Sequence, residues 1–224
     1  MRMLIGFEGL TGAGKSTQSG MLADCLTEQG LTVTYLPDNL TRAADPLGRA
    51  LLTLFDSGDP FSRHEHVVTD TLLGAAIRAD TYATDIAGHL AEGSTVVEDR
   101  GIHTLYSYSL ARLLQHHHIV RADAITWLRN VGTFAGPAAV RSVWLYLPAD
   151  DAIARAELRQ GHPYTAEQRA FLRFVHDAYA ELARTDPDLH RVDVTGLNPQ
   201  QAHHAVLADL ATLPTFAAKR ATAA

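Results

Sequence analysis

The sequence predicts an α/β fold: a five-stranded parallel sheet held between two layers of helices, a three-layer α/β/α sandwich with a helical lid. Three observations lead there. Short apolar runs alternate with helical stretches along the 224 residues, the order expected of parallel strands joined by crossover helices. The first runs are almost wholly apolar rather than alternating, as in MLIGF at residues 3–7, so helices must cover both faces of the sheet. That first run also passes through GLTGAGKS at residues 9–16 into a helical stretch. Strand, glycine-rich turn and helix in that order are the frame of a P-loop NTP hydrolase-type sandwich.

The elements follow in order. Residues 3–7 form the first strand, and a helix runs from about 15 to 29 until Gly30 stops it. Residues 31–35 form a second strand, and PDN at 37–39 opens a polar loop. An amphipathic helix spans 47–55, and SGDP at 57–60 makes a turn. A long helix covers 62–91, and TVVE at 95–98 is the third strand. Helices at 103–117 and 122–134 precede the fourth strand, RSVWLYL at 141–147, which is rich in β formers and ends at Pro148. Helices at 150–160 and 165–184 flank GHP at 161–163, RVDV at 191–194 is the fifth strand, and a last helix covers 199–211. The chain reads as one domain over residues 1–213, with the lid at about 153–166 and an alanine-rich, flexible tail at 214–224.

Composition narrows the possible functions. A hydrophobic share of 46% with 20% charged residues is that of an ordinary globular protein. The formal charge of −6 supplies no basic field for gripping nucleic acid. The single cysteine, Cys25, forms no internal disulfide and reads as a small apolar residue on a helix, which suits a reducing cytoplasm. Glu8 interrupts the N-terminal apolar run, and no segment approaches the roughly 18 apolar residues of a membrane span. The expectation is a cytoplasmic protein that engages neither membrane nor nucleic acid.

The chemistry concentrates at the ends of strands. The turn fits G-x-x-x-x-G-K-[ST]: Gly9, Leu10, Thr11, Gly12, Ala13, Gly14, Lys15, Ser16 and Thr17 would cradle the phosphates of ATP. Its glycines let successive N–H groups turn inward, and the helix adds its positive end. Lys15 would reach the β- and γ-phosphates, and Ser16 would bind Mg2+. Lys15 is also the only lysine before Lys219. The third strand ends in Glu98, Asp99 and Arg100, at the edge where parallel sheets bind ligands. Asp99 can meet Mg2+ or its waters, and Arg100 can hold a phosphate in two hydrogen bonds. Arg155 and Arg159 share one helix face beside a mobile-looking turn, as in a lid closing over a transferring phosphoryl group. The histidines at 64, 66 and 116–118 lack zinc-site companions and read as surface residues. Arg169 and Arg173, near Phe171 and Phe174, read as a solvated face over a core stripe.

These motifs resemble the thymidylate kinase family of nucleoside monophosphate kinases over roughly residues 3–212. FEGLTGAGKST at 7–17 is similar to the family's F-E-G-x-D-G-x-G-K-S-T, and EDRGIHTLYSY at 98–108 to D-R-Y-x-x-S-x-x-A-Y, with Asp99, Arg100, Thr104 and Tyr108 in register. WLYL at 144–147 and residues 171–182 resemble the strand entering the lid and the F-x-x-V-x-x-x-Y-x-x-L helix. The resemblance implies that Arg100 contacts the acceptor phosphate and Arg78 lies near the acceptor base. It also implies that a catalytic arginine stands either in the P-loop or in the lid. Leu10, Thr11 and Ala13 are uncharged, which assigns that work to Arg155 and Arg159. A homodimer is a further implication of the resemblance.

The departures lie on the acceptor side. Thr11 stands where the family has an acidic residue, YLPD at 35–38 replaces the R-E-P segment, and Gly74 replaces the phenylalanine that stacks on thymine. Arg42, Phe55 and Phe61 are candidates to refill that space. The leading expectation is an ATP-dependent kinase acting on a nucleoside monophosphate whose base or sugar differs from thymidine's. A kinase for a hydroxyl acceptor, with Asp38 as base, is the alternative. A nucleotide-binding regulatory ATPase is a third reading.

Overall fold

A computed structural model describes residues 3–38, 46–56, 66–117 and 119–216, without the side chains of 55 and 56. The turn at 57–60 and the side chains of Arg42, Phe55 and Phe61 lie outside the described residues.

Five strands build the sheet: β1 (Met3–Glu8), β2 (Val33–Leu36), β3 (Thr95–Asp99), β4 (Arg141–Tyr146) and β5 (Leu189–Asp193). Their order is β2-β3-β1-β4-β5, and every pairing is parallel. All six residues of β1 are buried, as its central place demands. The helices are α1 (Lys15–Glu28), α2 (Pro46–Asp56), α3 (Val67–Thr81), α4 (Ala87–Ala91), α5 (Ile102–His116), α6 (Arg121–Thr133), α7 (Ala149–Gln160), α8 (Ala166–Thr185) and α9 (Pro199–Leu210). α1 packs with α9 and α5 with α8, covering the two faces of the sheet, and one continuous core joins all layers.

Local chemistry sets the boundaries. α1 ends in a Schellman motif: Gly30, at φ +76°, donates to the Thr27 carbonyl, and Leu31 donates to that of Leu26. This cap engages Leu31, so β2 begins two residues later than the sequence suggests. Capping boxes at Thr165–Gln168 and Asn198–Gln201 start α8 and α9. The long helix expected over 62–91 is described from Val67 and is not uniform, since a π-turn at Tyr82–Ile86 separates α3 from α4. β5 spans Leu189–Asp193 rather than 191–194. The flexible tail expected from residue 214 is corrected at its start: Phe216 is only 1% exposed and sits in the core, so packed structure continues at least that far. Cys25 is half-buried on α1 rather than buried. Among the described residues, no helix is long and apolar enough to cross a membrane.

Candidate active site

The P-loop bridges the carboxyl end of β1 and the start of α1, and its glycines allow it to lie flat against its neighbours. A Cβ on Gly12 (φ +84°) would stand 2.1 Å from the Ala152 carbonyl oxygen of α7, and one on Gly9 (φ +132°) 2.9 Å from that of Leu145. Leu10 and Ala13 are buried, so their side chains anchor the loop, and the Ala13 N–H turns back to the Leu10 carbonyl oxygen at 3.2 Å. Gly14, at φ 95°, caps α1 with no side-chain hydrogen bond, a helix start suited to an anion. Ser16 and Thr17 are exposed at this opening.

Lys15 is 5% exposed, and its ammonium donates to the Leu10 carbonyl oxygen at 2.9 Å. Burial, reinforced by the charge of Arg100, lowers its pKa to about 7 against the partial opposition of Asp99 and Asp38. The Ser16 hydroxyl donates to Asp99 Oδ2, while Asp99 Oδ1 is buried with no hydrogen-bond partner among the described residues. A hydroxyl and a carboxylate with one free oxygen, beside a phosphate cradle, fit Mg2+, which takes few protein ligands and completes its shell with phosphates and water.

Arg100 follows Asp99 in the left-handed region at φ 73°, and its Nε donates to Asp38 Oδ2 at 2.6 Å. Thr11, Gly12, Gly14, Lys15, Ser16, Thr17, Asp38, Arg100 and Arg159 line a cleft of about 110 Å³. Arg159 enters from the lid helix α7 and donates to the Thr11 hydroxyl at 3.0 Å, where the Tyr164 side chain also hydrogen-bonds. The turn between α7 and α8 is pinned: Glu157 accepts from the Tyr164 backbone N–H at 2.7 Å and from Arg169 at 2.9 Å. Arg173 reaches Asp150 at 2.7 Å, and both arginines stay on a solvated face while linking α8 to the lid helix.

Four sequence candidates stand elsewhere. Arg155 is exposed and outside the cleft lining. Arg78 is 4% exposed, and its two terminal nitrogens donate to the fully buried Glu98 at 2.6 and 3.2 Å, which withdraws it from the cleft. Thr104 donates to Glu8 at 2.6 Å inside the fold. Tyr108 is half-buried, its ring 6.0 Å from that of Phe171. Asp38 lines the cleft and is ion-paired with Arg100. His66, His116 and His117 are exposed.

Sequence reasoning gave Glu8 and Glu98 no partners and missed Tyr164. An acidic residue inside an apolar strand was the available signal for Glu8, since a buried carboxylate requires partners.

The glycines, lysine, serine and arginines that line the cleft are groups suited to phosphate or a hard cation. That chemistry on this sheet defines a P-loop phosphotransferase. Comparison with known proteins supplies the family. The sequence model of thymidylate kinase matches residues 7–206. A thymidylate kinase of a Synechococcus species is 34% identical over 201 residues, covering 89% of this chain and 91% of that protein. One from Symbiobacterium thermophilum is 29% identical over 190 residues, covering 84% and 82%. The crystal structure of thymidylate kinase from Ehrlichia chaffeensis, 18% identical, superposes with a TM-score of 0.67 over 93% of this chain and 98% of that one, a likeness of fold. The chain belongs to the thymidylate kinase family and is an ATP-dependent nucleoside monophosphate kinase.

Proposed function

We propose that this kinase binds Mg2+-ATP in the P-loop and transfers the γ-phosphoryl group to a nucleoside monophosphate other than thymidylate. The carrying observation is the cleft where Lys15, Ser16, Arg100 and Arg159 converge on one phosphate-sized space beside Asp99. Mg2+ would be held by Ser16 and Asp99 and would draw charge from the β- and γ-phosphates. Lys15 meets the phosphates, and Arg159 meets the charge that develops on the transferring group. Arg100 orients the acceptor phosphate through its terminal nitrogens. An acceptor phosphate oxygen bonds to the γ-phosphorus as its bond to the bridging oxygen breaks, and ADP leaves with that electron pair. An anionic nucleophile needs alignment rather than a base.

The selectivity reading rests on the missing contacts. Thr11 is engaged by Arg159 and Tyr164, Arg78 by Glu98, and Gly74 offers no ring. A lost stack costs about 1 kcal/mol, and a lost charge-assisted hydrogen bond about 1.5–3 kcal/mol. The test is ADP release with dTMP, the other nucleoside monophosphates and the free nucleosides. Turnover of at least one other monophosphate well above dTMP is expected. A dTMP kcat/KM of about 10⁴ M⁻¹s⁻¹ or more, highest in the panel, refutes the selectivity and leaves the kinase assignment intact.

A further inference from the structure

Glu8, the last residue of β1, is fully buried and accepts four hydrogen bonds. Its Oε1 accepts from the backbone N–H of Gly101 at 3.0 Å and of His103 at 3.1 Å. Its Oε2 accepts from the Thr104 hydroxyl at 2.6 Å and the Tyr179 hydroxyl at 3.0 Å. That fills the lone-pair capacity of a carboxylate. The two N–H groups are unpaired donors of the first turn of α5, whose positive end favours an anion. Burial and the Glu8 charge hold the Tyr179 phenol well above its ordinary range, so it stays a donor at every working pH.

The bracket surrounds the Asp99–Arg100 turn. Arg100 donates its backbone N–H to the Phe7 carbonyl oxygen at 3.0 Å, and the next N–H, of Gly101, goes to Glu8. Consecutive residues of β1 therefore fix consecutive N–H groups across a residue held at φ 73°, a conformation that a residue with a Cβ adopts only when its surroundings impose it. The turn is also filled from the other side: a Cβ on Gly101 would lie 2.6 Å from Glu98 Oε1 and 3.1 Å from Glu8 Oε1. Tyr179 brings in α8, the helix that leaves the lid turn. One carboxylate thus joins the strand feeding the P-loop, the turn carrying Asp99 and Arg100, and α8.

We infer that Glu8 is a positioning residue that sets Asp99 and Arg100 for phosphoryl transfer. The inference rests on the kinase reading above. It predicts a split between the substrates, because Lys15 is held by the Leu10 carbonyl oxygen and feels the Glu8 charge only as the weakest of several, whereas the Arg100 turn sits inside the bracket. Glu8→Ala should lower kcat by about 10²-fold and raise KM for the best monophosphate by about tenfold, since misplacing a group by about 1 Å costs that much. KM for ATP should stay within about threefold. Glu8→Gln should restore most of the activity: its carbonyl oxygen can keep both backbone donors, and its amide can donate to the two hydroxyls, which rotate to accept.

Steady-state kinetics on both variants and the wild type, with thermal unfolding alongside, decide the matter. A folded Glu8→Ala enzyme with unchanged constants overturns the inference. So do parallel losses for both substrates that Glu8→Gln fails to rescue. Should Glu8→Ala not fold, Tyr179→Phe replaces it: a rise confined to the acceptor KM supports the bracket, and no change or an equal rise for ATP overturns it. A wild-type enzyme silent with every monophosphate removes the kinase reading alone. Calorimetry with ATP, with and without Mg2+, then tests Glu8 independently. The Mg2+-dependent gain in affinity should fall by about two- to threefold in Glu8→Ala and persist in Glu8→Gln, and an equal gain in all three proteins overturns the inference.

Discussion

Binding of ATP should draw a proton into Lys15, and the amount can be calculated. With a pKa of about 7 in the free protein, the lysine is about 90% neutral at pH 8 and about 10% neutral at pH 6. The phosphates of ATP supply the counter-charge that burial denies it and return the pKa toward its ordinary value near 10.5. Binding at pH 8 should therefore take up about 0.9 proton through this residue, and binding at pH 6 about 0.1. Isothermal titration in two buffers of different ionisation enthalpy measures the uptake directly, and Lys15→Ala supplies the blank. The same shift acts on stability. Between pH 7 and 10.5 the unfolded chain holds this proton and the folded chain does not, so the nucleotide-free fold gains stability as pH rises through that window. Lys15→Ala should abolish that gain, leave the fold intact and cut turnover by about 10²–10³-fold. Equal proton uptake by the wild type and Lys15→Ala at pH 8 would refute the buried-ammonium reasoning.

Other outcomes follow from the same geometry. Arg159→Ala should lower kcat by about 10²-fold or more with little change in ATP affinity, whereas Arg155→Ala, outside the cleft, should stay within about threefold; steady-state kinetics separate them. Gly12→Ala should destabilise the protein by about 2–5 kcal/mol in urea unfolding, because its Cβ would overlap the Ala152 carbonyl oxygen in a left-handed backbone. His103 donates to Asp186 at 2.9 Å and, ahead of the opposing effect of burial, lowers its pKa below 3.8. Asp186 therefore stabilises the fold above about pH 4 and loses that contribution as pH falls through its lowered value. Asp186→Asn should cost about 1–2 kcal/mol at pH 7, and the difference from wild type should close below pH 4 in thermal unfolding.

What was legible in the sequence was what depends on local spacing. The P-loop needs its glycines, lysine and serine within eight residues, and its strand and helix lie on either side. The order of strands and helices was likewise readable, because each is a periodic run. Boundaries slipped where a cap outcompeted a strand, as at Leu31. The long-range polar pairs were hidden: Arg78 finds Glu98 across 20 positions, and Glu8 finds Tyr179 across 171. Spacing along the chain carries no trace of such partners. Arg78 and Thr104 were placed on the acceptor side by the family resemblance, yet each has a buried carboxylate to satisfy first. Phe216 was lost in an alanine-rich stretch whose composition suggested fraying.

The central position of β1 also dictates a history in time. Its neighbours, β3 and β4, are synthesised long after it, and pairing with β4 waits until residue 146 exists, 138 positions beyond Glu8. At about 5–20 residues per second, the ribosome takes roughly 7–28 s to cover that distance. Until β3 is complete at residue 99 neither edge of this apolar strand can pair, and for the rest of that interval the edge meant for β4 stays open, the kind of segment that sticks to others of its kind. The strand that later aims the phosphate loop is thus the one most exposed to misassembly while the protein is being made, and overproduction should be limited there first.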